Sequence, residues 1–99
     1  MSTEPHHAPI TGDSVVVAIK DNVSCALDGE TVILNASEGI YYGLDPVGTF
    51  IWGLIEQPRS LNAIRDAILE EYDVDAGRCE ADLVALIGDL ASNRLVEVK

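Results

Sequence analysis

Apolar and polar positions follow different rhythms in the two halves of this chain. From Ser14 to Leu44, β-branched and aromatic residues come in runs of five or six, SVVVAI, VSCAL, TVILNA and IYYGL, separated by turn formers. Such runs predict strands. Asp28-Gly29 between VSCAL and TVILNA is the two-residue signal of a tight hairpin, because a type I′ turn needs positive φ at both central positions. A second turn at Ser37-Glu38-Gly39 returns IYYGL alongside TVILN, which predicts a three-stranded antiparallel meander with IYYGL last. SVVVAI would add one further short strand. Three short strands cannot bury both faces alone, so they need a packing partner.

That partner begins at Asp45-Pro46, an N-cap acid followed by proline at the first helical position. Val47, Phe50, Ile51, Leu54 and Ile55 recur at helical spacing, and Pro58 stops the segment. Ser60 caps a second helix with its stripe at Leu61, Ile64, Ile68 and Tyr72, ending in the polar YDVD corner. A third helix opens at Asp75 or a neighbour; Cys79, Leu83, Leu86, Ile87 and Leu90 make its buried stripe, and Asn93 and Arg94 end it. The tail LVEV would form a last short strand. The order is an α+β arrangement, winged helix-turn-helix-like: a three-stranded antiparallel sheet followed by three helices.

Composition narrows the partners. The chain has 99 residues, 47% hydrophobic, which suits one small domain with its own core. Six Lys and Arg against 17 Asp and Glu give a net charge of −11, which opposes any partner recognised through its phosphates, so neither nucleic acid nor a membrane surface is expected. The apolar runs are far shorter than the roughly 20 residues of a membrane span. Residues 1–12, with Pro5, Pro9, Gly12 and paired histidines, read as a flexible N-terminal arm, leaving 13–99 as the domain. The start of the chain shows no basic-then-apolar secretory pattern, so a cytoplasmic setting is expected, with Cys25 and Cys79 as reduced thiols and Cys79 buried. His6 and His7 lack further ligands at useful spacing, so no metal is expected.

Nor does any residue set point to catalysis. The cysteines have no histidine outside the arm, and there is no phosphate loop, HExxH or CxxC. Asp73, Asp75 and Gly77 resemble a calcium loop only briefly, since Arg78 and Val84 stand where the turn glycine and closing Glu belong. No catalytic residue, cofactor or metal is expected. As a recognition helix for DNA, the third helix fails on charge: Glu80, Asp82 and Asp89 stand against Arg78 and Arg94.

A peptide surface remains. If IYYGL ends the meander, one of its edges is unpaired and offers N–H and C=O groups to an extended guest chain, unless SVVVAI covers it. Neither Lys nor Pro blunts this edge. Tyr41 and Tyr42 point to opposite faces, and Gly43 lets another backbone come close. On the third helix, Asp82, Leu86, Asp89 and Asn93 form a row beside the core stripe, next to the small residues Ala81, Ala85, Gly88 and Ser92. Apolar, acidic and small side chains together suit a shallow groove for a basic amphipathic peptide; the plain alternative is a solvated helix face.

DGETVILNASEGIYYGLDPVGTFIW, SLNAIRDAILEEYDVD and EADLVALIGDLASNRLVE, taken in order, resemble the PqqD-like family across about residues 14–97. The resemblance implies three strands followed by three helices and a non-catalytic recognition element for leader peptides of ribosomally made, post-translationally modified peptides. It implies that the leader adds as a strand beside Ile40, Tyr41, Tyr42, Gly43 and Leu44, with its side chains against Asp82, Leu86 and Asp89. The tyrosine-rich third strand is most similar to the free-standing leader-binding members of lasso peptide systems, which work with a separate transglutaminase-like cysteine protease and a cyclase. That resemblance places an apolar pocket between Tyr42 or Leu44 and Leu86. The coenzyme PQQ branch, or another pathway of radical-SAM-modified peptides, is the alternative. Without a leader, the open edge could pair with a second copy into a homodimer.

Overall fold

The computed structural model describes residues 10–99. Asp28 and Gly29 both take left-handed backbone, φ 53° and 81°, as the hairpin signal requires. They join β2 (Val23–Leu27) to β3 (Glu30–Asn35), and the Ser37-Glu38-Gly39 turn joins β3 to β4 (Ile40–Leu44). The meander has the order β2-β3-β4, antiparallel throughout, and SVVVAI is no part of it. Its core of four residues, β1 (Val15–Ala18), lies instead in a second antiparallel sheet between β5 (Arg59–Ser60) and β6 (Val96–Val98). The LVEV tail is thus a strand. The two-residue β5 had no signal in the sequence, because its backbone is extended only by pairing Arg59 and Ser60 with Val16 and Val15.

All three helices start where a side chain can satisfy a free N–H. Asp45 Oδ1 accepts from Gly48 N at 2.8 Å to open α1 (Pro46–Leu54), and Ser60 Oγ accepts from Ala63 N at 3.1 Å to open α2 (Leu61–Glu71). Asp75 Oδ2 accepts from Arg78 N at 2.9 Å to open α3 (Ala76–Ser92). α1 ends before Pro58 is reached. Its last carbonyls are taken by tertiary partners: Ala18 N donates to Ile55 O at 2.8 Å and Arg59 Nε to Leu54 O at 2.6 Å. At the far end of α3, Arg94 N donates to Ala91 O and Leu95 N to Leu90 O, a Schellman closure with Arg94 left-handed at φ 61°.

The core fills the space between the meander, the three helices and β1 with Ile33, Ile51, Ile64, Leu83, Ile87 and Val16, each at most 2% exposed. Arg65, on α2, bridges Asp66 and Glu80 at 3.1 and 3.3 Å, tying α2 to α3 at the surface. Of the expected arm, residues 1–9, with His6 and His7, lie outside the described residues. Ile10 packs on the core, and Gly12 O accepts from Asn62 N at 3.0 Å. Gly88, one of the small residues on α3, faces Ile10, whose Cδ1 lies 3.9 Å from where a Cβ would stand.

Ile87 is fully enclosed, so Ile87→Ala should lower the unfolding free energy by about 2–5 kcal/mol in urea melts. Arg94→Gly should raise it by about 0.5 kcal/mol, since glycine occupies the left-handed position without a Cβ clash; a loss instead would show that the exposed ion pair to Glu38 outweighs the backbone.

Candidate functional site

Parity along the meander decides which backbone groups are free. In the two-residue turn, Leu27 and Glu30 are the hydrogen-bonded pair, so Glu30, Val32 and Leu34 direct their N–H and C=O groups to β2. Thr31, Ile33 and Asn35 therefore direct theirs to β4, where they meet Leu44, Tyr42 and Ile40. The alternate residues, Tyr41 and Gly43, turn theirs away. Among the described residues no strand pairs with that side of β4, and β1, which could have covered it, is committed to the other sheet.

Side chains follow the same alternation. Leu44 is buried, Tyr42 half-buried, and both point inward, whereas Tyr41, on the outer face, is 72% exposed. Between β4, α1 and α3 lies a cavity of about 560 Å³ whose wall includes Tyr42, Gly43 and Leu44 from β4, Ile51 from α1, and Leu83 and Leu86 from α3. Arg78 and Asp82 stand at its rim, 3.8 Å apart and both exposed. Gly48 lets α1 come close to β4, for a Cβ there would sit 3.1 Å from Leu44 Cδ2.

One hydrogen bond ties the two walls. Tyr42 Oη donates to Asp89 Oδ2 at 2.6 Å. Desolvation, reinforced by that bond and by the charge of Asp89, pushes the Tyr42 hydroxyl up to about 12. Cys79 lines the cavity at 7% exposure, and burial pushes its thiol up, so it stays protonated and unreactive at neutral pH. Cys25 is exposed on β2. Among the described residues no three His, Cys, Asp or Glu side chains come together as metal ligands.

Of the residues singled out from the sequence, Tyr42, Gly43, Leu44, Asp82 and Leu86 line the cavity together. Asp89 stands beyond it, on the Tyr42 hydroxyl. Ile40 is half-buried at the start of β4, and Tyr41 faces the opposite way; neither borders the cavity. Arg78, Val74 and the α1 side of the wall were not anticipated. Arg78 had a legible signal: it lies one helical turn before Asp82, on the same row. Val74 had none, since the YDVD corner reads as a solvated turn.

The model of the family described as coenzyme PQQ synthesis protein D (PqqD) matches residues 30–96. A solved structure, TbiB1 in complex with the TbiA(beta) leader peptide, is similar over 82% of this chain and 94% of that one, with 40% sequence identity and a TM-score of 0.75. None of the functionally curated proteins matches the chain.

Tyr42 should ionise near pH 12 in an absorbance titration, and Tyr42→Phe should remove that step. Its folded pKa lies above the ordinary 10, so the stability it contributes is whole below pH 10 and is lost as pH rises toward about 12. A titration with no step near pH 12 that Tyr42→Phe removes would rule out the bond across the cleft.

Proposed function

Because the chain belongs to the PqqD family, we propose that it captures the leader segment of a ribosomally made, post-translationally modified precursor peptide of the lasso type, by β-strand addition to β4. The observation that carries this reading is a strand edge, unpaired among the described residues, that runs beside an apolar cleft. The free N–H and C=O groups of Tyr41 and Gly43 supply sequence-tolerant affinity, and the cleft supplies selectivity. A relative with 40% identity was solved with a leader peptide bound, which supports the same class of guest here.

In this role the protein breaks no bonds. It presents the bound leader to a separate transglutaminase-like cysteine protease, in the cytoplasm, and its partners do not include nucleic acid or membrane. No helix among the described residues is long and apolar enough to cross a bilayer. Asp82 and Asp89, within a net charge of −11, favour a guest bearing lysine or arginine and speed its capture. Before a leader arrives, the bare edge can pair with that of a second copy. The family description keeps one other reading in play, a peptide chaperone of the PQQ pathway or of another radical-SAM-modified peptide.

Amide exchange locates the guest. A fluorescein-labelled TbiA(beta) leader peptide, or the leader of a precursor encoded beside this gene, should bind at low salt and slow exchange at the Tyr41 and Gly43 amides. The Tyr42 amide, already paired to β3, should change little. Gly43→Pro removes one free donor and should abolish capture if circular dichroism shows the fold intact. Raising the salt from 50 to 500 mM should weaken binding several-fold through slower association. Binding that leaves both edge amides unprotected would sink strand addition.

A further inference from the structure

We infer that Gly43 is a notch for a large aromatic side chain of the same guest strand, on the outer face of the sheet, so that the guest is selected from both sides. This rests on the strand-addition reading: Gly43 borders the cleft by its backbone, and the notch is a second subsite on the other face of the same residue.

The register supplies the geometry. Residues paired across β2, β3 and β4 share a face, so Val23, Cys25, Leu27, Val32, Leu34, Tyr41 and Gly43 all look outward. The only charged strand residue on that face is Glu30, at its end. It is an apolar surface left open to water: Val23 is 61% exposed, Leu27 67% and Val32 44%. Gly43 sits where this surface meets the open edge, and an ideal Cβ built on it touches nothing within 4 Å. The fold therefore does not need glycine here for space, nor for a positive φ, which Gly43 does not have. Glycine inside a strand weakens it, so its presence calls for something the bare protein lacks.

A guest strand on β4 supplies it. Strands lie about 4.8 Å apart, so the guest residue beside Gly43 stands roughly 10 Å from Val32, with only glycine backbone between them. Its diagonal neighbour on β4 is Tyr41, about 7–8 Å away and within reach of an aromatic ring. A ring laid over Gly43 would cover the glycine backbone and contact both Tyr41 and Val32, the way cross-strand aromatics compensate strand glycines. A small guest residue would leave that surface wet. The guest residues on either side of the ring point the other way, into the cleft against Leu44 and Leu86, so the guest reads apolar, aromatic, apolar over three successive positions.

Selection from a displayed library of random 15-residue peptides tests this with wild type and Gly43→Val, which fills the notch but keeps the edge N–H. Wild type should enrich an aromatic flanked by apolar residues, and Gly43→Val should keep the flanks and lose the aromatic. A selected peptide should bind Gly43→Val at least tenfold more weakly than wild type, and its aromatic→Ala version should bind the two proteins equally. Identical selected patterns or equal affinities would overturn the notch while leaving capture at β4 intact, as judged by protection of the Tyr41 and Gly43 amides. Wild type enriching no peptide, or peptides that protect neither amide, would overturn both. A dimer of the free protein that Tyr41→Ser dissolves would assign the outer face to a second copy and also overturn the notch.

Discussion

The register of β3 against its two neighbours is the constraint on which the site depends. A slip of one residue would turn the Tyr41 and Gly43 backbone groups inward and send Tyr42 and Leu44 to the outer face. Hydrophobicity alone would hold this register poorly, because the outer face, with Val23, Leu27 and Val32, is also apolar. The turns hold it from both ends. At one end Asp28 and Gly29 leave no slack. At the other, Gly39 N donates to Asn35 O at 2.8 Å, with Gly39 left-handed at φ 70°. Asn35 adds a polar lock: its buried amide accepts from Ser37 Oγ and Glu38 N and donates to Asn93 O. A slipped strand would strand that amide without partners, at a cost of about 1–3 kcal/mol.

The second sheet is what keeps β1 off the edge of β4. β1 is apolar enough to have joined the meander, yet β5 and β6 take both of its sides. Val15 and Lys99 exchange backbone hydrogen bonds at 3.0 and 2.8 Å, and Ile19 N donates to Leu95 O at 2.9 Å. The same strand holds the end of α1 through Ala18 N and Ile55 O. β1 therefore fixes α1 against the segment that follows α3, and the spacing of those helices sets the width of the cleft beside β4.

The two faces of β4 divide recognition in a way that one groove could not. Inward, the cleft has an apolar floor and a rim of mixed charge, and the Tyr42 hydroxyl on its wall is tied to Asp89 beyond it. Outward, Tyr41, Gly43 and Val32 form an uncharged surface. Backbone pairing is indifferent to sequence, so discrimination among guests must come from side chains at alternate positions on these two surfaces. The rim carries a different duty: exposed charges such as Arg78 and Asp82 contribute little to stability but shape the field an approaching peptide meets.

Local chemistry made much of this molecule legible in the chain itself. Two turns, three N-caps and three apolar stripes are decided by neighbours within a few residues, through φ restrictions, free N–H groups and helical spacing, and the structure places them as read except that Leu86 is half-buried in the cleft wall and Ile55 lies past the end of α1. Parity on the strand and periodicity on the helix separated the inward Tyr42 and Leu44 from the outward Tyr41 and set Asp82 and Leu86 in one row, but only the family resemblance paired that row with the strand. What only the tertiary structure decided is where separated segments meet: that β1 pairs with β5 and β6 and not with β4, that α1 ends at Leu54, and that Val74 borders the cleft. Those outcomes rest on hydrogen bonds and contacts between residues tens of positions apart, whose partners no local pattern names.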